Sequence, residues 1–479
     1  MAGSLKKETA KGVAWSAVER FSSGGVLFLA DIILARMLTP NDFGLIAIVS
    51  IFIQIAQTFI DSGFSNALIQ KKDRNQIDYS TVFYFNIGIA IILYIVIYVA
   101  SPYISKYFNN SELISLTRIV SLNLIIGALI SVQKTRLTIE LNFKTQAIIT
   151  LISSLFATVI AIWMAYSGFG VWSLVFLSLI NITFQTLLIY FIIKWHPSLI
   201  FSTTAFKRLF GFSSKLLGAS LIHLLYRNVY PVIIGKYFSS TVLGFFNRAE
   251  TYAMFPAQSI GPIISRVAFP IFSKIQDDNE KLSIAYSKYI VYASFIIFPI
   301  MIGLLTLAKP LTLLVLKDQW LPMVPMLQIL CLDWMTNHLS MINLNVLYIK
   351  GRSDLAFKLE IIKKSCAFII FFISLYWGII GVCWGRVIYS YCAVYFNSYY
   401  TKKLIGIGLL QQMKDIIKPL CYSTVMGILV YLISNILECA TTTFLSMIIS
   451  IILGVIIYCT IIYIFDKNIF RELNSIIRR

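Results

Sequence analysis

Apolar segments of about 20 residues, each long enough to cross a bilayer, follow one another along almost the whole chain. They lie at roughly 13–36, 42–66, 80–100, 114–137, 145–166, 170–193, 213–235, 246–272, 286–308, 323–348, 357–377, 379–400, 415–437 and 442–465. Short connections join them, and no gap has room for a folded soluble domain. The expectation is therefore an all-α polytopic membrane protein of about fourteen transmembrane helices. Only 13% of the 479 residues are charged, against about 25% in a soluble domain. The first apolar stretch, from Val13 to Leu38, contains Glu19, Arg20 and Asp31. That is unlike the short, clean core of a cleaved signal peptide, so it reads as a retained helix.

The net charge of +19 does not point to nucleic acid, because the cations sit in short clusters between apolar segments. Lys and Arg gather in the cytoplasmic loops of membrane proteins. With the N-terminus inside and fourteen spans, 29 of the 40 Lys and Arg residues fall in inside connections and six in outside ones. The remaining five (Arg20, Arg118, Arg227, Arg266 and Arg386) lie within spans. A wrong span count would scramble this alternation, which places both termini in the cytoplasm.

The chain offers little to covalent or metal chemistry. All seven Cys lie in the second half, nearly all inside apolar segments and none as C-x-x-C, so they read as small buried hydrophobes. The three His are far apart, no metal site is expected, and no phosphate-binding G-x-x-x-x-G-K-[ST] motif occurs. The expectation is a non-enzymatic protein without a bound cofactor, with a proton or sodium ion as the candidate coupled species.

A turn occurs twice. Ala35-Arg36-Met37-Leu38-Thr39-Pro40-Asn41-Asp42-Phe43-Gly44 returns as Gly235-Lys236-Tyr237-Phe238-Ser239-Ser240-Thr241-Val242-Leu243-Gly244. Both run small residue, cation, hydroxyl-rich turn, apolar-Gly. Ala100-Ser101-Pro102-Tyr103 is echoed by Ala308-Lys309-Pro310-Leu311, and Gly168-Phe169-Gly170-Val171-Trp172 by the run from Gly378 to Trp384. Each half thus carries six spans in the same order, and an even number keeps both copies in one orientation. This is a parallel repeat about the membrane normal, a signature of secondary transporters. The reading divides the chain into an N-terminal lobe (1–197), a C-terminal lobe (198–403) and an extra hairpin with a cytoplasmic tail (404–479).

Several further motifs carry a family resemblance. They are Asp61-Ser62-Gly63-Phe64-Ser65-Asn66-Ala67-Leu68-Ile69-Gln70-Lys71-Lys72, Ile234-Gly235-Lys236, Phe246-Asn247-Arg248-Ala249-Glu250, and Lys350-Gly351-Arg352-Ser353-Asp354-Leu355 followed by Lys358-Leu359-Glu360. With the first copy of the turn, they make the chain similar to the Wzx-type lipid-linked oligosaccharide flippases of the multidrug/oligosaccharidyl-lipid/polysaccharide exporter superfamily, nearest in look to the colanic-acid-type branch. The resemblance spans about residues 10–410. It implies two six-helix lobes around a central cavity and an undecaprenyl-pyrophosphate-linked glycan as cargo in the bacterial inner membrane. It also implies a polysaccharide polymerase and a chain-length regulator as partners. Unpaired helices 13 and 14 carry no matching motif.

An ionisable group near the bilayer centre costs on the order of 2.5–3.5 kcal/mol on insertion scales, so each one calls for a cavity or a partner. Arg20 and Asp31 share a face of the first span, and His223 and Arg227 share one of the seventh. Arg248 and Arg266 are about five turns apart in the eighth, with Pro256 and Pro262 between them to bend it. The resemblance implies that spans one, two, seven and eight line the cavity. Arg20, Arg227, Arg248 and Arg266 are then the pyrophosphate candidates, since guanidinium matches phosphate oxygens bidentately. Asp31, Asp61 and Glu19 are the ion-coupling candidates. Arg36 and Lys236 form an outer gate or merely anchor two helix ends, and Arg352 with Asp354 forms a lobe-closing salt bridge. Blander readings stand beside these: Arg20 neutralising Glu19, Asp61 pairing at the inner edge, and Arg248 with Glu250 as a structural pair. Asp333, Asn337 and Ser340 read as an interhelical hydrogen-bond seam. Two rival functions remain open: a cation-coupled drug or metabolite exporter of the same fold, and a polytopic polymerase or acyltransferase. The second is disfavoured by uniformly short outer loops.

Overall fold

The computed structural model describes residues 15, 22–61, 64–71, 73–440, 442–467, 469, 471 and 472. Helix α1 (22–37) is followed by α2 (Pro40–Asp61), α3 (Phe64–Gln70), α4 (Gln76–Phe108), α5 (Glu112–Val120), α6 (Leu122–Ile139), α7 (Phe143–Tyr166), α8 (Trp172–Ile192), α9 (Thr203–Tyr237) and α10 (Ser240–Lys274). Then come α11 (Asn279–Thr306), α12 (Ala308–Leu316), α13 (Val324–Met335), α14 (Asn337–Ile349), α15 (Ser353–Ser374), α16 (Gly378–Ile405), α17 (Leu409–Ala440) and α18 (Thr443–Phe465). Among the described residues, 9 helical runs are long and apolar enough to cross a membrane, and one of them (Ser353–Ile405) contains both α15 and α16. Large apolar side chains such as Phe191 and Ile436 stand on the outside of the helices, where lipid rather than water meets them. The molecule is an all-helical, multi-pass membrane protein.

Local chemistry explains where the helices begin. Thr39 caps α2: Asp42 N–H donates to Thr39 Oγ1 at 3.3 Å, and the Thr39 hydroxyl donates back to Asp42 Oδ2 at 2.8 Å. Ser239 caps α10 in the same position of the repeat, accepting from Val242 N–H at 3.1 Å. Asn75 and Asp78 make a reciprocal capping box at the head of α4, satisfying donors that a helix start leaves unpaired. The tight turns between the apolar segments need left-handed backbone that glycine adopts at little cost. Gly168 (φ +84°) and Gly170 (φ +56°) supply it before α8, and Gly378 (φ +71°) before α16. The fourth and tenth sequence spans are each divided: α5 meets α6 at Ser121, and α13 meets α14 at Thr336.

The chain falls into two compact units, Met1–Gly244 and Phe245–Arg479. In the first unit, α4 packs on α2, α5, α6 and α9, and α7 packs on α8. A cluster of Phe64, Leu68, Val82, Phe83, Val132, Trp195 and Leu209 closes one end of it. The segment between α8 and α9 is fastened to the head of α4. Trp195 Nε1 donates to Gln76 Oε1 at 2.7 Å, Ser198 N–H to Ser80 Oγ at 2.9 Å, and Ser202 N–H to Thr81 Oγ1 at 3.1 Å. In the second unit, α11 packs along α17, and α16 packs on α13, α14 and α15. Tyr458 of α18 donates to the Phe295 carbonyl at 2.9 Å, tying the C-terminal helix pair into this unit.

Candidate functional site

The duplicated turn becomes a single contact in the first unit. Pro40 and Ser240 are the opening residues of α2 and α10, and Gly44 and Gly244 stand four residues further along each. A Cβ added at Gly44 would lie 1.7 Å from the Ser240 carbonyl oxygen, and one at Gly244 would lie 2.0 Å from the Pro40 carbonyl oxygen. The two helix starts therefore cross backbone to backbone, each glycine against the other helix's first carbonyl. Ser240 Oγ donates to Asn41 Oδ1 at the crossing. The small residues that open each copy also matter. Ala35 is fully buried, and a Cβ at Gly235 would be 3.2 Å from both Leu243 and Phe108 side-chain carbons.

The two cations of the turn behave differently. Lys236 donates to the Tyr107 carbonyl at 2.5 Å and sits 4.8 Å from the centre of that ring. It is tied to the C-terminal end of α4, where a helix's unpaired carbonyls attract a cation. Arg36 is exposed.

The second unit holds an ion network among three helices. Arg386 of α16 reaches Glu250 of α10 at 2.5 Å and Asp333 of α13 at 2.7 Å. Ser390, one turn further along α16, donates to the other Asp333 oxygen. Asp333 is thus part of an interhelical seam, as its helix face suggested. Asn337 lies near Met341 Sδ at 3.7 Å. Glu250 is engaged by Arg386 of α16, a helix far away in the sequence. Arg248 is itself buried at 8% exposure. Sequence reasoning noted Arg386 only as an intramembrane cation and did not find its partners. The available signal was that α16 carries no acid of its own, so a buried guanidinium there requires one from another helix.

The other candidates are distributed as follows. Arg227 is exposed on α9, and Asp31 is half-buried on α1. Arg352 and Asp354 pair with each other through two bonds of 2.9 and 2.8 Å, at 46% and 61% exposure. Glu19 and Arg20 lie outside the described residues, as do the side chains of Asp61, His223 and Arg266. At the opposite end of the first unit from the duplicated turn, Asp78 (1% exposed) is bonded by Lys71 and, at 3.1 Å, by Arg208.

Comparison with known proteins gives this architecture relatives. The family described as "Polysaccharide biosynthesis protein" matches residues 33–325. The teichuronic acid biosynthesis protein TuaB of Bacillus subtilis (strain 168) is 26% identical over 441 residues, 90% of each chain. The lipopolysaccharide biosynthesis protein WzxC of Escherichia coli (strain K12) is 28% identical over 362 residues, 75% of this chain and 74% of that one. A solved structure titled "Lipid II flippase MurJ, inward closed conformation" superposes with a TM-score of 0.75. It covers 95% of this chain and 99% of that one at 17% sequence identity, a likeness of fold.

Proposed function

Because the chain belongs to the polysaccharide biosynthesis protein family, we propose that it flips undecaprenyl-pyrophosphate-linked oligosaccharide repeat units from the cytoplasmic to the outer face of the bacterial inner membrane, for export of a surface polysaccharide. The observation that carries this reading is the end-to-end similarity to a relative named for polysaccharide synthesis, 90% of each chain. The fold, shared with a structure titled as a lipid flippase, supports it.

The mechanism is alternating access without covalent chemistry. Fourteen spans with both termini cytoplasmic form lobes 1–197 and 198–403, followed by the hairpin of 404–479. Arg20, Arg227, Arg248 and Arg266 receive the pyrophosphate while the polyprenyl tail stays in lipid. Asp31, Asp61 and Glu19 carry the coupled proton or sodium ion. Arg36 and Lys236 flank the outer exit, and Arg352 with Asp354 flanks the inner one. An inside-negative potential favours the outward movement of an anion by about 2.3 kcal/mol per charge per 100 mV. A polymerase and a chain-length regulator act on the delivered units.

The test is complementation. In cells that make the cognate repeat unit but lack this gene, the wild-type chain restores surface glycan and Arg227→Ala, at equal expression, does not. Restored display by Arg227→Ala removes that residue from the site. No display with the wild-type chain, together with efflux of cationic dyes, would make it a drug exporter of the same fold.

A further inference from the structure

The contact between the two copies of the turn is built with a symmetry that packing alone does not demand. Gly44 and Gly244 are 200 residues apart, as are Pro40 and Ser240, and Thr39 and Ser239. In space the pairs cross over: Gly44 lies against Ser240, and Gly244 against Pro40. The hydroxyl caps at 39 and 239 fix where each helix begins, so the first carbonyl of each arrives opposite the other's glycine. Approach this close is possible only where both residues lack Cβ. Any side chain at either position must push the helix starts apart, because the obstructing atom is backbone and cannot rotate away.

The side chains around the crossing carry little charge across it. A neutral side-chain hydrogen bond, Ser240 to Asn41, joins them. Lys236 is occupied by Tyr107 of α4 and does not reach across to α2. A contact of close-packed backbone and a neutral hydrogen bond is held by fit. It can part and re-form without leaving a buried charge unpaired, which a cation–carboxylate latch at the same place could not do.

We propose that Gly44 and Gly244, with Asn41 and Ser240, are the outer gate of the transport cycle, closed in this structure. The gate is a backbone clasp between α2 and α10, and Lys236 anchors one helix end beside it. This rests on the alternating-access reading and names the residues on which outer closure depends. Parting the clasp separates the starts of the second helix of each repeat and opens the exit.

Disulfide trapping tests it. The double variant Asn41→Cys with Ser240→Cys, in the full-length chain with its native cysteines replaced by serine or alanine, is expected to oxidise spontaneously at the outer face. The linkage is read by mass spectrometry of the digested protein. Oxidised cells should lose glycan display to background, and a mild reductant should restore it. Adding Gly44→Ala or Gly244→Ala to the pair should lower the disulfide yield several-fold, with folding checked by monodisperse elution in detergent. The clasp is overturned by absence of the disulfide in a monodisperse protein, by a yield indifferent to either alanine, or by full display from the cross-linked chain. If the cargo assignment were wrong, the wild-type chain would give no display at all, while the disulfide yield and its dependence on glycine would remain readable.

Discussion

The two units differ in their most connected charges. In the first, the connected ion pairs lie at helix ends: Asp78 sits in the capping turn of α4, bonded by Lys71 and Arg208. The second has pairs at helix ends too, but there Glu250, Asp333 and Arg386 also bind α10, α13 and α16 to one another. Asp78 itself is buried, but its partner Arg208 is 59% exposed, so losing that guanidinium is partly repaired by solvent. The Arg386–Asp333 pair, 15% and 8% exposed, has less of that recourse on either side. The comparison teaches that the same chemistry serves as a fastener in one unit and as an obligation in the other.

That contrast sets the size of the effects expected from substitution. Arg386→Ala should be the most damaging, because it leaves two carboxylates facing each other without a counter-ion. Breaking a buried pair from one side costs about 3–5 kcal/mol, so the detergent-solubilised variant should melt far earlier than wild type. Asp333→Asn, which keeps the shape and the Ser390 bond, should recover part of that loss. Asp78→Asn should cost about 1–2 kcal/mol, from weakened charge-assisted hydrogen bonds and half of a capping box, read as a modest shift in the same melting assay. If Asp78→Asn proved as damaging as Arg386→Ala, the distinction between edge and interior would fail. Thr39→Ala and Ser239→Ala each remove one helix cap and should cost about 1 kcal/mol, with similar shifts if the two copies of the turn are equivalent. Arg352→Ala should leave the melting temperature unchanged, since both members of that pair stand in solvent.

Much of this was legible in the chain. Apolar runs of bilayer length show themselves in one dimension, and so do the residues that end them. Thr39 and Ser239 proved to be caps, and Gly168 and Gly378 proved to be left-handed turn residues. The seam through Asp333 was visible as a polar face on an apolar helix. The partner of Glu250 was not, because Arg386 is 136 positions away and no periodicity links two helices that meet only on folding. Likewise, the glycine closing each copy of the turn was plain in the sequence, but the object it makes room for was not. A missing side chain carries no mark of the neighbour that requires its absence.

The crossed pairing of Gly44 with Ser240 and Gly244 with Pro40 has the form of a twofold contact. A contact in which each member uses the same patch on the other is the kind two identical subunits make about a twofold axis. In a half-length homodimer, one glycine codon would have governed both sides of such a crossing, and any change to it would have been felt twice. Fusing the halves into one chain gives each side its own codon. Position 40 holds proline where 240 holds serine, so the two sides differ at the residue whose carbonyl receives the glycine. Such a chain can tune one side of the crossing while the other holds, a freedom that a symmetric dimer does not have.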